Sequence, residues 1–359
     1  MEKRFLYIFA MLTLLGVTFV AAANFWMDAD GLYAKRFFMK QAEAFASPDD
    51  FAVTRLRIDE RILKKQMLET ISRRQKPDCV VIGSSRSMLI SSVFKTAPRG
   101  CARLVNLAVS GGGAEDAVTF AHDVAQLRAA RRPKRVYIDL SHWSFRWGAE
   151  ESWKVRRADF FRARDFFAGE SIGVAALPDM SIWLNLISFE YLTRSLQSFY
   201  DEGLGLDRPP FEIVRRPFTL NNAPEESSIL YDGSRVYSAD QRAAHHAPAI
   251  KGTEVYKSST EQPDPSVVAM YERIAAYFLG QGIDVIFFAI PYHSSLTRDG
   301  APMSADIRRA QDVVAAWREK GTPRVTGSFL MEQTPCRDTQ MMDFMHPDAA
   351  CVAAIMKKN

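Results

Sequence analysis

Two short stretches, far apart in the sequence, carry residues that could do chemistry together. In Val80-Val81-Ile82-Gly83-Ser84-Ser85-Arg86-Ser87 an apolar run meets a glycine and then a polar series. A serine there projects from the carboxyl end of a strand, with its backbone N–H near a helix start. That placement favours a nucleophile whose product is an oxyanion. Ser85 is preferred over Ser84, and the competing reading is a serine that merely caps the next helix. In Asp343-Phe344-Met345-His346 a carboxylate and an imidazole lie three residues apart. On one turn they can meet at one pocket, the carboxylate orienting the ring and the ring taking a serine proton. An isolated Asp-x-x-His is also a common helix start. The order is the sharper signal: a serine after the first strand, a glycine loop after the second, and Asp-x-x-His near the end.

The elements that must position these residues follow from the hydrophobic pattern. Asp78–Gly83, Leu104–Ala108, Arg135–Leu140, Asp284–Ile290 and Arg324–Thr326 read as short buried strands. Helical periodicity lies between them at Ala114–Ala130, Val267–Leu279 and Ala305–Glu319. This alternation predicts an α/β fold with a parallel sheet of about five strands, flanked by helices on both faces. Ala52–Arg74 reads as an amphipathic helix leading into that core. The alternation is interrupted over 147–264, where helical patterning at Asp159–Tyr200 gives way to a Pro/Ser/Gly-punctuated stretch. This insertion is expected at the carboxyl edge of the sheet, where ligand-facing loops lie. Within it, Asp232-Gly233-Ser234-Arg235 reads as a hairpin tip with Tyr231 and Tyr237 on its arms. The expected organisation is an anchor (1–27), a juxtamembrane and lead-in segment (28–76), a core (77–146 and 265–359) and the insertion (147–264).

Composition narrows the function. The 359 residues, 47% hydrophobic and 25% charged, exclude collagen-like, disordered and disulfide-scaffold classes. A net charge of +4 arises from 46 basic and 42 acidic residues scattered along the chain, so no nucleic-acid partner is expected. Phe5–Ala23 carries no charge, follows Lys3 and Arg4, and precedes Asp28 and Asp30. It is long enough to cross a bilayer with the N-terminus inside. A cleaved signal peptide ending at Ala21-Ala22-Ala23 is the rival reading, and under either the remainder is exported. Cys79, Cys101, Cys336 and Cys351 then permit two disulfides, or remain buried thiols. No Cys/His spacing suggests zinc, His245-His246 has no acidic partner at ligand spacing, and neither a metal nor another cofactor is expected.

These motifs resemble those of the SGNH/GDSL hydrolase superfamily over Asp78–Leu140 and Asp284–Met356. Gly83-Ser84-Ser85 matches the family's nucleophile block, Asn106-Leu107-Ala108-Val109-Ser110-Gly111 its second block, and Asp343 with His346 its last. The resemblance implies a flavodoxin-like sheet and a triad of Ser85, His346 and Asp343, with the N–H groups of Ser85 and Gly111 as oxyanion donors. Two departures stand out. Ser84 replaces the family's Asp, and Asp139-Leu140-Ser141-His142-Trp143 stands where the family has Gly-x-Asn-Asp. The third oxyanion donor then falls at or near Trp143, whose indole N–H donates once. Arg86 is a candidate for holding an anionic or sugar-derived group, His142 and His293 for touching substrate. Trp143, Phe145, Trp147 and Trp153 form either a sugar platform or packing.

Gly-Ser-Ser-Arg behind an N-terminal anchor is similar to a narrower group of bacterial envelope proteins, related to the D-alanyl-transfer protein DltD and the alginate acetylation proteins. That likeness implies a periplasm-facing, single-pass protein of the bacterial inner membrane. It would be an O-acyltransferase or esterase acting on a cell-surface polysaccharide, beside a multi-spanning MBOAT acyltransferase. The alternative is a catalytically inactive scaffold that binds the polymer or the MBOAT partner.

Overall fold

The computed structural model describes residues 2–27, 42–43, 45, 50–54, 60–170, 181–202, 211–215, 218, 223, 225–243 and 261–357. His245-His246 and most of the juxtamembrane stretch lie outside the described residues. The chain enters through a long apolar helix, α1 (Glu2–Met27), and a strand, β1 (Asp50–Thr54), before helix α2 (Glu60–Arg74). The core begins with β2 (Cys79–Ile82), β3 (Leu104–Asn106), α3 (Ala114–Ala125) and β4 (Arg135–Leu140). Next come α4 (Arg157–Ala168), α5 (Phe189–Glu202) and three short strands, β5 (Phe211–Arg215), β6 (Ser228–Leu230) and β7 (Arg235–Val236). The core resumes with α6 (Pro265–Gly280), β8 (Asp284–Ala289), α7 (Ser304–Lys320), β9 (Arg324–Gly327) and α8 (Ala349–Met356).

Five strands form one parallel sheet in the order β3-β2-β4-β8-β9. Its central strands are continuously apolar because helices and loops bury both faces. Val80, Ile82, Val136, Ile138, Val285 and Phe287 face a core shared with α3, α4, α6 and α7. Val81, Tyr137, Ile286 and Phe288 face the other way, against α8 and the loops around it. The period of two along each strand sorts side chains between the two layers. The connection from β2 runs to β3 on one side and the connection from β3 returns past β2 to β4 on the other, and this reversal of direction opens a crevice at the carboxyl end of β2.

Helix boundaries follow the capping chemistry. Asp264 accepts from the Ser266 N–H at 2.7 Å ahead of Pro265 to start α6, and Asp348 accepts from the Cys351 N–H at 2.7 Å to start α8. Two disulfides, Cys79–Cys101 and Cys336–Cys351, join residues 22 and 15 apart in sequence. Closing loops of this size stabilises the fold by about 3 kcal/mol each, chiefly by restricting the unfolded chain.

The lead-in differs from the expected continuous helix at Ala52–Arg74. Residues 50–54 are β1, which pairs antiparallel with β5 and β6 in a second sheet of order β5-β1-β6-β7. Phe51 is buried against Phe218 and Leu230. Partners from the distant insertion decide the conformation of a segment whose local pattern is ambiguous.

Candidate active site

The crevice at the carboxyl end of β2 holds the turn that carries Ser85, the candidate nucleophile. Ser84 has extended backbone and caps a short 3-10 turn, Ser85–Ser87, by accepting from the Arg86 N–H at 3.3 Å. Ser84 therefore does the capping, and Ser85 is left to point elsewhere. Its hydroxyl lies 2.8 Å from His346 Nε2, and His346 Nδ1 lies 2.7 Å from Asp343 Oδ2. A carboxylate only accepts, so Nδ1 carries the ring proton and Nε2 is the acceptor for the Ser85 hydroxyl. Burial works to raise the Asp343 carboxyl. The hydrogen bond and charge of His346, with the Met345 and His346 N–H groups at 2.7 Å, more than offset it and hold the group below its ordinary value.

The loop that carries Asp343 and His346 is constrained at its base. Met341 bridges Pro347, the Met342 N–H donates to His346 O at 2.8 Å, and the Asp348 N–H donates to Gln340 O at 2.8 Å. Cys336–Cys351 closes the segment from outside. The two triad members on this loop are thus held by a short stapled structure rather than by a helix.

Opposite lies the glycine loop. A Cβ on Gly112 would stand 2.4 Å from Gly83 O and 3.1 Å from Ser84 Cα, so the loop lies directly against the nucleophile turn and no other residue fits. Gly111 beside it has φ +60°, a left-handed conformation suited to glycine. Neither the Ser85 nor the Gly111 N–H meets an acceptor among the described residues. α2 braces the loop from behind. Glu60 accepts from the Ser110 N–H at 3.1 Å, and Arg61 donates to Ser110 O at 3.2 Å while chelating Asp116 at 2.7 and 2.8 Å. The fully buried Lys64 donates to Asn106 O at 3.2 Å and to Gly233 O, and burial lowers its amine to about 8.

Three of the expected substrate or oxyanion contacts are placed otherwise. Arg86 is 1% exposed and stacks 3.7 Å over the Tyr292 ring. It donates to Met345 O at 3.0 Å, Ile290 O at 2.5 Å and Pro291 O at 2.7 Å, so it ties the triad loop to the end of β8 instead of meeting a ligand. The Trp143 indole N–H donates to Gly112 O at 2.9 Å. Its single donor is spent inside the protein and cannot serve an oxyanion. His142 is buried against Tyr292, whose hydroxyl lies 2.8 Å from Nδ1. Burial and the nearby charges of Arg86 and Arg146 push its ring down to about 3, so it is neutral and structural.

His293 accepts from the Ser295 N–H at 3.2 Å and caps the turn Ser294–Thr297, while its own N–H donates to Phe344 O at 3.0 Å beside the triad loop. The aromatic stretch is packing. Phe145 sits against Tyr271 and Trp317, and Trp147 and Trp153 both against Phe160.

Two site residues escaped the sequence reading. Asp139, at the end of β4, accepts from the Ser84 hydroxyl at 2.9 Å and the Ser84 N–H at 3.2 Å, holding the nucleophile turn from below. Burial raises its carboxyl to about 6, against the pull of Arg86 and Ser84. An acid closing the apolar run Arg135–Leu140 was the available signal. Tyr237, just beyond β7, donates to Ser85 O, and its ring lies 5.5 Å from that of His346. The β6–β7 hairpin brings it there. Asp232 O accepts from the Asn106 N–H at 2.7 Å, and the Arg235 N–H donates to Met88 O at 2.9 Å, which seats the hairpin over the ends of β2 and β3.

No protein-family model matches the chain, and no curated protein matches it at a significant level.

Proposed function

We propose that the protein is a membrane-anchored serine O-acyltransferase or esterase of SGNH type, with a flavodoxin-like core, acting on a cell-surface polysaccharide. The observation that carries this reading is the continuous chain from Ser85 through His346 to Asp343, at 2.8 and 2.7 Å. In the proposed reaction Ser85 Oγ attacks the acyl carbonyl as its proton passes to His346 Nε2. The Ser85 and Gly111 N–H groups receive the developing oxyanion. Collapse expels the leaving oxygen, which takes the proton from His346, and leaves an acyl-Ser85 ester. A sugar hydroxyl or a water then gives its proton to His346 and attacks that ester, and the proton returns to Ser85.

The membrane part of the proposal rests on α1, whose Lys3–Met27 portion is long and apolar enough to cross a bilayer. Two disulfides favour an oxidising compartment for the rest, which supports a periplasm-facing site. An MBOAT-type acyl donor is proposed on the resemblance alone.

An active-serine fluorophosphonate probe tests the chemistry. It should label the wild-type protein in its membrane, and labelling should vanish in Ser85→Ala and fall at least about 100-fold in His346→Ala. One observation favours the quieter reading of a polymer-binding scaffold: the Trp143 indole, expected as a third oxyanion donor, is already spent on Gly112. Equal labelling of wild type and Ser85→Ala, or none of either, would select the scaffold.

A further inference from the structure

Among the described residues, most of the large exposed apolar side chains outside α1 fall in one short stretch of sequence. Among the described residues, seven large apolar side chains beyond α1 are exposed, and five of them are Trp183, Leu184, Ile187, Phe189 and Leu196. The five fall within 183–196, in the short helix Ser181–Leu184, the 3-10 turn Asn185–Ile187 and the start of α5. Single exposed apolar residues need no explanation, whereas a contiguous group of this kind marks an interaction surface.

The partner is indicated by what the segment already holds. Asn24 of α1 is fully buried, and its amide nitrogen lies 3.0 Å from Asn185 O, 2.8 Å from Leu186 O and 3.0 Å from Ser188 O. One polar side chain thus satisfies the carbonyls of the turn and locks it onto α1. From Phe5 to Asn24 the helix rises about 30 Å, the thickness of a bilayer's hydrocarbon core. With Lys3 and Arg4 in one headgroup layer, Asn24 falls at the opposite boundary, and so does the turn bound to it. Phe25 and Trp26 are exposed at the same level. Aromatic side chains collect at this depth because a flat ring with a polar edge suits a boundary that is apolar on one side and wet on the other. The exposed Glu190 follows Phe189 directly, and the buried Tyr191 and Ser195 show α5 held by protein on another side. The segment is too short and too polar to span, which leaves it lying in the interface.

We propose that residues 181–202 are a second membrane contact, resting in the lipid–water boundary beside the outer end of α1. The proposal rests on the reading of α1 as a bilayer anchor. The segment would fix the rotation of the anchored protein about α1, which a lone helix cannot do.

The full-length protein in phosphatidylcholine vesicles provides the test, with bromine carried either near the headgroup or deep in the acyl chain. The difference between wild type and Trp183→Phe isolates the Trp183 emission, and Trp26→Phe does the same for the anchor. The Trp183 component should be quenched by shallow-brominated lipid, at least about twofold more than by deep-brominated lipid, as expected of a boundary residue. An unquenched Trp183 component beside a quenched Trp26 component overturns the proposal while leaving the anchor intact, and assigns the surface to water or a protein. If Trp26 also escapes quenching, the anchor reading itself fails and the proposal fails with it.

Discussion

At the residue scale, the indole of Trp143 separates two accounts of the proposed oxyanion site. If it held the oxyanion, Trp143→Phe would cost the 10²–10³ in kcat typical of such a donor. Because its N–H is committed to Gly112 O, the expected result is instead a loss of about 1 kcal/mol in stability, with kcat reduced less than about tenfold. Steady-state turnover of an aryl acetate and a denaturant titration read the two quantities separately. Asp139 makes a second prediction. Its folded carboxyl titrates near 6, above the ordinary 3.8, so the native state binds the proton more tightly than the unfolded chain. That contribution to stability is fully present below about pH 4 and is lost as pH rises through 6. The gap is worth on the order of 3 kcal/mol. Asp139→Asn keeps an oxygen to accept from Ser84 and no longer titrates. Its stability relative to wild type should therefore improve between pH 4 and pH 7, and a parallel pair of pH–stability curves would contradict the assignment.

At the scale of elements, Arg86 joins three segments that meet only in the folded chain: the nucleophile turn, the loop after β8 and the triad loop. A lysine cannot reproduce the planar fork or the stacking on Tyr292. Arg86→Lys should lower stability by about 2–3 kcal/mol in urea denaturation, since one ammonium cannot reach all three buried carbonyls and leaves some of them unpaired. The parallel strands and their helices were legible because continuous apolar runs and 3.6-residue periods are local signals, and Asp284–Ala289 lies within its expected limits. The grouping of Ser85, His346 and Asp343 was legible because Ser85 sits at a strand end and Asp343 and His346 share one turn. What could not be read is everything decided by distant pairing. β1 depends on β5 and β6, Tyr237 reaches Ser85 through a hairpin, and Glu60, Arg61 and Lys64 look like one charged turn of a solvated helix until the glycine loop is laid against them. The burial of Arg86 is hidden from the sequence for the same reason. A charged residue at a helix start usually faces water, and only the folded chain supplies carbonyls to bury it.

At the scale of the whole molecule, the triad loop depends on a covalent closure. Removing it in the double variant Cys336→Ala/Cys351→Ala should lower the thermal midpoint and cost about 2–4 kcal/mol. Fluorophosphonate labelling at Ser85 should slow more than the fold weakens, because the loop holding Asp343 and His346 loses its outer tie. Unchanged labelling kinetics in that variant would show that the Met341–Pro347 bridge alone suffices. The 261 residues between Ser85 and His346 also have a bearing on timing. A chain is made from its N-terminus, so Ser85 is in place long before His346. If Ser85 is the nucleophile proposed above, it is no more reactive than any other alcohol until the segment that holds His346 has folded against it and its bridge has closed. On the proposed function, the distance in sequence acts as a delay between making the serine and arming it.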